Sequence, residues 1–197
     1  MVDTDSDRDM VEATLDENVE IARARLQGYR YMTEIPTDIY GRIPLRLAAR
    51  EGHKEVMEHL VEAAKWFEKT TKEGDTSTPT TRSSFSFESF INAKDMHGWT
   101  PLHLAARQGN KEVVKCLIEA AKELFSTYGS SYSFESFINA KDNYGLTPLD
   151  LAARGRKEAQ EALFKIFLSA KGALPAALRT AIVQTPGIWS EIVVYLF

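Results

Sequence analysis

Two stretches decide the fold of this chain: INAKDMHGWTPLHLAAR at 91–107 and INAKDNYGLTPLDLAAR at 138–154. They are near copies, and the likeness extends upstream, because SFESFINAKD occurs at 86–95 and again at 133–142. A looser third copy, DIYGRIPLRLAAR, occupies 38–50. The chain is therefore an array of one repeated unit, in which each unit buries its apolar face against its neighbours.

Each copy predicts a tight turn followed by two helices. Asp-x-x-Gly is a turn signal, and Thr-Pro places a capping residue before a proline at the first helical position. A longer second helix then begins after its predicted N-cap, Asn110. Its apolar positions fall on one face: Val113, Val114, Leu117, Ile118, Ala121 and Leu124, matched in the first copy by Val56, Met57, Leu60, Val61 and Ala64. The Ala-Ala pairs at 48–49, 105–106 and 152–153 predict close packing of neighbouring first helices.

The segment GWTPLHLAARQGNKEVVKCLIEAA (98–121) resembles the ankyrin repeat, whose signature is a β-turn, Thr-Pro-Leu-His and two helices. The resemblance extends to 145–153 and, more loosely, to 41–64. In the family the Thr and His side chains hydrogen-bond, and here only Thr100 and His103 keep that pair. The resemblance implies an all-α solenoid of about four helix-pair repeats with short β-turn fingers.

The spacing of the repeats indicates insertions. Gly41, Gly98 and Gly145 are 57 and 47 residues apart, whereas the family period is about 33, so that insertions of about 24 and 14 residues would enlarge the second helices and loops. In this respect the repeats resemble those of bacterial ankyrin effectors. The expected domains are an acidic disordered leader (1–6), an array (7–171) with repeats of about 7–37, 38–90, 91–137 and 138–171, and a final segment (172–197).

Two features lie outside the repeat signature. Phe87, Phe90 and Ile91 form one apolar helical turn after the predicted cap Ser86, and the second copy repeats them. They either seal the enlarged helices against the next repeat or form an aromatic ligand site. The segment 172–197 is expected to be a C-terminal helical cap. Alternatively it docks a second protein, because it weakly resembles the start of an F-box through these residues: Ile188, Trp189, Ile192 and Leu196.

The composition of the chain argues against several classes of function. The single cysteine, Cys116, excludes a disulfide framework, favours a reducing compartment and is expected to be a small buried hydrophobe. The net charge of the chain is −4, made up of −7 on residues 1–20 and +3 on the remaining residues. A body that is nearly neutral argues against nucleic acid as the main partner. We expect no metal, cofactor or catalytic site, because zinc spacing, phosphate loops and nucleophile motifs are missing from the sequence. We also expect no membrane partner, a monomer, and a cytoplasmic location, in a host cytosol if the chain is an effector.

The predicted function is a non-catalytic protein-protein interaction module. In the ankyrin family the variable positions are the turn tips and the exposed side of the first helix, on the concave face. Mapped here, they are Tyr40, Arg42, Arg46, Arg50, Met96, His97, Trp99, Arg107, Gln108, Asn143, Tyr144, Leu146 and Arg154. Aromatic residues and arginine are enriched in interface hot spots. The alternatives are that some of them, Trp99 above all, pack on the neighbouring finger, and that the chain is an adapter to ubiquitin-ligase machinery through its C-terminal segment.

Overall fold

The computed structural model describes residues 43–72, 87–128 and 134–154, together with Thr14, Phe164 and Ile166. Every regular element in these residues is a helix, which confirms the all-α prediction. The helices are α1 (Pro44–Glu51), α2 (Lys54–Lys72), α3 (Phe87–Ile91), α4 (Pro101–Gln108), α5 (Lys111–Tyr128), α6 (Phe134–Ile138) and α7 (Pro148–Ala153).

The first helices of the repeats, α1, α4 and α7, each start with a proline. Proline suits this position because its fixed φ is helical and its missing N–H would have no partner in the first turn. In α4 and α7 a threonine precedes the proline and its side chain caps the helix. In α1 the residue before the proline is Ile43, which offers no side-chain cap.

The helices form two layers. α4 packs between α1 and α7 in one layer, and α2 packs on α5 in the other. Five of the paired alanines are buried, as the sequence predicts: Ala48, Ala49, Ala105, Ala106 and Ala152. Ala153 is exposed, because it is the last residue of the short α7, so the prediction was wrong at that position.

The second helices are long, with 19 residues in α2 and 18 in α5. Every residue of the two predicted apolar stripes is buried in the core. Lys65 of α2 joins the two helices at their surface, since its ammonium group lies 2.9 Å from Glu62 and 2.6 Å from Glu123 of α5. The prediction that the insertions enlarge the second helices is therefore confirmed for the repeats that contain α2 and α5.

The short helix α3 seals the space between the second helices. Phe87, Phe90 and Ile91 are all buried, and α3 contacts both α2 and α5. The N–H of Phe87 donates to the carboxylate of Glu68 (2.9 Å), a buried acid on α2. This arrangement bears out the sealing interpretation for the first copy of the phrase. The predicted cap Ser86 lies outside the described residues.

Side chains before the second helices tie each repeat to the one before it. The backbone carbonyl of Asn110 accepts from Val114 at the start of α5, as an N-cap does, but its side-chain amide donates to the carbonyls of Ala49 and Arg50 (both 2.9 Å) at the end of α1. Asn110 therefore caps the preceding repeat's first helix, which the sequence did not predict.

His53, at the matching position before α2, makes the equivalent bond one repeat earlier. Its Nδ1 lies 2.6 Å from the carbonyl of Thr14, which is helical and fully buried. A carbonyl oxygen can only accept a hydrogen bond, so this nitrogen carries the proton. The Thr14 carbonyl thus accepts from His53 as the Ala49 and Arg50 carbonyls accept from Asn110.

Several predicted regions lie outside the described residues. They include the acidic leader (1–6), the first finger with Tyr40 and Arg42, most of the last repeat beyond Arg154, and the segment 172–197 with its predicted docking residues. Phe164 is fully buried in the common core, so the last repeat contributes at least this side chain to it.

Candidate functional site

The first described finger, residues 95–99, is folded by Asp95. Its Oδ1 accepts hydrogen bonds from the backbone N–H groups of His97 (2.8 Å) and Trp99 (2.9 Å). The backbone N–H of Gly98 donates to the Asp95 carbonyl, and the Asp95 N–H donates to the Trp99 carbonyl. Gly98 has a φ of +76°, which favours glycine. The predicted Asp-x-x-Gly turn is therefore confirmed.

The second described finger, residues 142–146, repeats this geometry. Oδ1 of Asp142 accepts from the N–H groups of Tyr144 and Leu146, both at 2.8 Å. Burial raises the pKa of the Asp142 carboxyl, but hydrogen bonds from Leu146, the Trp99 indole and Tyr144 outweigh it, and the pKa lies below its ordinary value. The Asp142 carboxylate therefore stays ionised while it holds the finger through these hydrogen bonds.

The two fingers are hydrogen-bonded to each other. The backbone N–H of Asn143 donates to the carbonyl of His97 (3.0 Å), and its side-chain amide donates to the carbonyl of Met96 (2.9 Å). Lys94 donates to the carbonyl of Lys141 (2.8 Å). Asn143 was predicted to contact a partner, but its donors are used between the fingers, so we assign it a scaffolding role.

The predicted Thr100–His103 pair is confirmed at the start of α4. The Thr100 N–H (3.2 Å) and hydroxyl (2.8 Å) both point at Nδ1 of His103, which therefore accepts, and Nε2 carries the proton and donates to the carbonyl of Leu146 (3.1 Å). Burial lowers the pKa of this imidazole below its ordinary value, although the bond to Leu146 and the nearby Asp142 act in the opposite direction. His103 thus joins the helix cap to the next finger as a neutral ring.

The cap by Thr147 in the last repeat is confirmed, but its partner Asp150 was not predicted. Thr147 donates from its hydroxyl (2.7 Å) and its backbone N–H (2.8 Å) to Oδ2 of Asp150, whose own N–H donates to the threonine oxygen (3.2 Å). Threonine followed three residues later by an acid is itself a capping signal, independent of the Thr/His pair of the family.

Trp99 lies between the two fingers. Its indole N–H donates to Oδ2 of Asp142 (2.9 Å), and the side chain is half-buried against the core. The guanidinium of Arg107 stacks over the indole, 4.6 Å from the ring centroid, and the His97 ring lies 5.4 Å away on the same finger. The alternative that Trp99 packs on the neighbouring finger is therefore confirmed, and the residue also forms part of the surface.

Two adjoining clefts flank the Trp99–Arg107 stack. The first, of about 280 Å³, is lined by Arg46, Arg50, Asp95, Met96, His97, Trp99, Leu104, Arg107 and Gln108. The second, of about 720 Å³, is lined by Trp99, Arg107, Gln108, Asp142, Tyr144, Leu146, Leu151 and Arg154. We call the surface made by these two lining sets the finger face. Because both clefts share the stack, the finger face is continuous from α1 to α7.

The structure brings together the described residues predicted for binding, with two qualifications. All of them except Asn143 line the finger face. Arg46 is only 3% exposed, since it lies on the buried side of α1, so its prediction as an exposed residue was wrong. Met96 and Tyr144 are 76% and 72% exposed at the finger tips. The sequence missed Leu104 and Leu151, which line the clefts although they are largely buried.

In the part of the chain that the structure describes, the other features to consider are a reactive cysteine, a metal site and a membrane-spanning helix. Cys116 is half-buried rather than fully buried, and burial first of all raises the pKa of its thiol to about 11, so that the reactive thiolate is disfavoured. No group of metal-binding side chains occurs among the described residues. None of the described helices is long and apolar enough to cross a membrane.

Comparison with known proteins supports this geometry. The family model for ankyrin repeats in three copies matches residues 82–172, and the model for a single ankyrin repeat matches 40–70. Among curated proteins, "E3 ubiquitin-protein ligase XB3" from Oryza sativa subsp. japonica is 56% identical over 36 residues, which are 18% of this chain and 8% of that protein. The chain thus matches only a small part of that relative's length.

The chain belongs to the ankyrin-repeat family, because the two family models together cover most of it and the described finger–helix–helix units have the family's order. Ankyrin repeats are in general non-catalytic modules that bind other proteins, and their presence indicates that this chain is a protein-interaction module.

Proposed function

We propose that this ankyrin array binds a partner protein through the finger face. The observation that carries the proposal is the continuous pair of clefts around the Trp99–Arg107 stack. Arginine and aromatic side chains contribute disproportionately to protein–protein affinity when they are held in place before binding. Trp99 is held by its bond to Asp142, and Arg107 is held by Trp99.

The finger tips supply the apolar part of this surface. Met96 and Tyr144 project from neighbouring fingers and expose most of their side chains. Large exposed apolar residues next to ordered polar groups are typical of interaction sites. The array needs no conformational change to present them, because the fingers are already fixed by their aspartates.

Affinity purification with mass spectrometry tests the proposal. The full chain and a Met96→Ala/Arg107→Ala/Tyr144→Ala variant would be used as baits at equal concentration. The variant should lose the specific partner and keep its circular dichroism melting curve, since all three residues are exposed. Trp66→Ala is the matched control, because Trp66 is 60% exposed on α2, away from the fingers. Loss of the partner in the control alone would place the interface on the second helices.

A second candidate function is an adapter to ubiquitin-ligase machinery through Trp189 and Ile192. It is favoured by the local identity to a curated E3 ubiquitin-protein ligase, although that match covers little of the relative. Trp189→Ala/Ile192→Ala in the full chain should release a second set of partners and leave those of the finger face bound. Loss of cooperative unfolding in this variant would instead indicate a capping role.

We also propose that the module acts as a monomer on protein rather than nucleic acid, in the cytoplasm. The lone cysteine and the net charge of −4 support this proposal. Sedimentation velocity would measure the oligomeric state, and a dimer that is disrupted by Met96→Ala would contradict it.

A further inference from the structure

We infer that the finger face binds an extended acidic peptide, in which every third residue carries a carboxylate that pairs with one arginine per repeat. The inference rests on the proposed function and names the chemical class of its partner. Its basis is a row of equivalent arginines, the charges around them and the aromatic rings between them.

The row consists of Arg50, Arg107 and Arg154, which we call the arginine ladder. They hold the same place in PLRLAAR, PLHLAAR and PLDLAAR. All three line the finger face, and α4 packs between α1 and α7, so the side chains leave neighbouring helices at matching positions. Packed helices lie about 8–10 Å apart. In a polyproline II segment three residues make one turn of about 9 Å, so that every third side chain faces the same way. A carboxylate at every third residue would therefore match the ladder.

The acids near the ladder leave most of its charge available. Asp95 and Asp142 line the clefts and keep their negative charges, but Arg46 and the three arginines of the ladder line the same clefts, so that the lining is net positive. Among the described residues, Arg107 and Arg154 form no ion pair, and Arg50 pairs with its neighbour Glu51. Ion pairs between groups so close in sequence at the surface are weak and can be exchanged for a ligand carboxylate.

Aromatic rings lie between neighbouring arginines of the ladder. His97 and Trp99 line the cleft between Arg50 and Arg107, and Tyr144 lines the cleft toward Arg154. These rings offer apolar contacts to the peptide residues between two acids. The stack on Trp99 also restricts the Arg107 guanidinium, so that less side-chain entropy is lost when it binds a carboxylate.

A partner's peptide fits the ladder better than the chain's own leader does. The leader and the three residues after it place Asp3, Asp5, Asp7 and Asp9 at every second residue. In a polyproline II chain these residues are about 6 Å apart and face different ways. That repeat does not match rungs about 10 Å apart. We therefore assign the ladder to a segment of another protein.

Fluorescence anisotropy with synthetic peptides tests the inference on the full chain. The probe is a labelled Gly/Ser peptide with glutamate at every third residue, and its control has the same composition with glutamate at every second residue. The first should bind at least about 5-fold more tightly and should weaken as salt is added. Arg107→Gln and Arg154→Gln should each weaken binding about 3- to 5-fold, and Arg107→Lys should weaken it less.

Lys111→Gln is the matched charge control, because Lys111 is an exposed base at the start of α5, outside the finger face. It should bind the probe like the natural chain. Equal affinity for the two peptides would overturn the three-residue register. Unchanged binding in a folded Arg107→Gln/Arg154→Gln double variant would overturn the ladder.

Two further outcomes would assign the ladder to other ligands. Displacement of the probe by single-stranded RNA at lower concentration than by unlabelled peptide would overturn the inference in favour of nucleic acid. A tenfold or larger gain in affinity when Asp3, Asp5, Asp7 and Asp9 are changed to Asn would assign the ladder to the leader. If neither peptide binds while the Met96→Ala/Arg107→Ala/Tyr144→Ala variant still loses its partner, this inference fails and the proposed function stands.

Discussion

The segments 87–108 and 134–154 have nearly the same sequence but different surroundings. Phe87 is fully buried, whereas its copy Phe134 is partly exposed beneath the ammonium group of Lys122. A Cβ added at Gly98 would lie 2.5 Å from Oδ1 of Asn143, whereas one at Gly145 would meet no described atom within 4 Å. Identical residues are therefore expected to contribute differently to the free energy of unfolding in the two copies.

The difference follows from position in the array. The first segment has neighbours on both sides, because α3 contacts α2 and α5 and α4 contacts α1 and α7. Within the described residues the second segment has such a neighbour on one side, where α6 packs on α5 and α7 on α4. In a repeat array each unit is stabilised by its interfaces as much as by its own sequence. When the same substitution is made in both copies, the difference in unfolding free energy therefore reports on contacts with the neighbouring repeat, because the substituted residue is the same.

The largest contrast is expected for the phenylalanines. Phe87→Ala should lower the free energy of unfolding by about 4 kcal/mol, because it opens a cavity among α2, α3 and α5, whereas Phe134→Ala should lower it by about 1 kcal/mol. Urea unfolding followed by circular dichroism would measure both values. Equal losses would show that α6 is as deeply packed in solution as α3.

Substitution of the finger glycines should also destabilise the first copy more than the second. Both have positive φ, +76° at Gly98 and +77° at Gly145, so alanine costs about 1–2 kcal/mol at either position. At Gly98 the new Cβ would also lie 2.8 Å from the backbone nitrogen of Asn143, which cannot move without breaking its bond to His97. We expect a total loss of about 3 kcal/mol at Gly98 and about 1 kcal/mol at Gly145, by urea unfolding. If Gly145→Ala were the more harmful, the second finger would be the more constrained.

The aromatic residues of the two fingers make a third pair. Trp99→Ala removes the indole bond to Asp142, the stack with Arg107 and half-buried apolar area, and should cost about 2 kcal/mol. Tyr144→Ala should change stability by less than about 0.5 kcal/mol, because most of the side chain is exposed. Both should weaken partner binding. Lost binding identifies a partner contact only at Tyr144, because Trp99→Ala also destabilises the fold. A large loss of stability in Tyr144→Ala would contradict the assignment of Tyr144 to the exposed surface.

The sequence was sufficient for the repeated local structure. The Asp-x-x-Gly turns, the proline-started first helices, the two apolar stripes and the Thr100–His103 pair all depend on residues a few positions apart, and periodicity and capping rules predict such features. For the same reason the grouping of the predicted binding residues could be expected once the family was recognised, since equivalent positions of stacked repeats line up.

Features that depend on the neighbouring repeat were not predictable from one sequence. Asn110 was assigned to its own helix, yet its amide donates to carbonyls in the preceding repeat. Asn143 was assigned to partner binding, yet its side-chain amide bonds the adjacent finger. Arg46 was assigned to the exposed side of its helix, yet it is buried. The partners of the two asparagine side chains lie 47 to 61 residues away along the chain, and local patterns carry no information on such pairs.

The smallest effect is expected from the two helix caps and depends on pH. The cap of α4 uses His103, a neutral ring with a lowered pKa, whereas the cap of α7 uses Asp150. As the pH falls below about 6.5, the ordinary pKa of histidine, the unfolded chain binds a proton on His103 that the folded chain does not. The free energy of unfolding should therefore decrease from pH 7 toward pH 5, until the lower folded-state pKa is reached.

His103→Gln isolates this contribution. Glutamine does not titrate and its amide can still donate toward the Leu146 carbonyl, so the variant should be less stable at pH 7 but should lose less stability on acidification than the natural chain. His59→Gln, a change on the polar side of α2, is the control for the loss of one imidazole outside the α4 cap. Parallel curves for the natural chain and His103→Gln would mean that the ring is protonated equally in both states. They would then contradict the assignment of Nδ1 as the acceptor from Thr100.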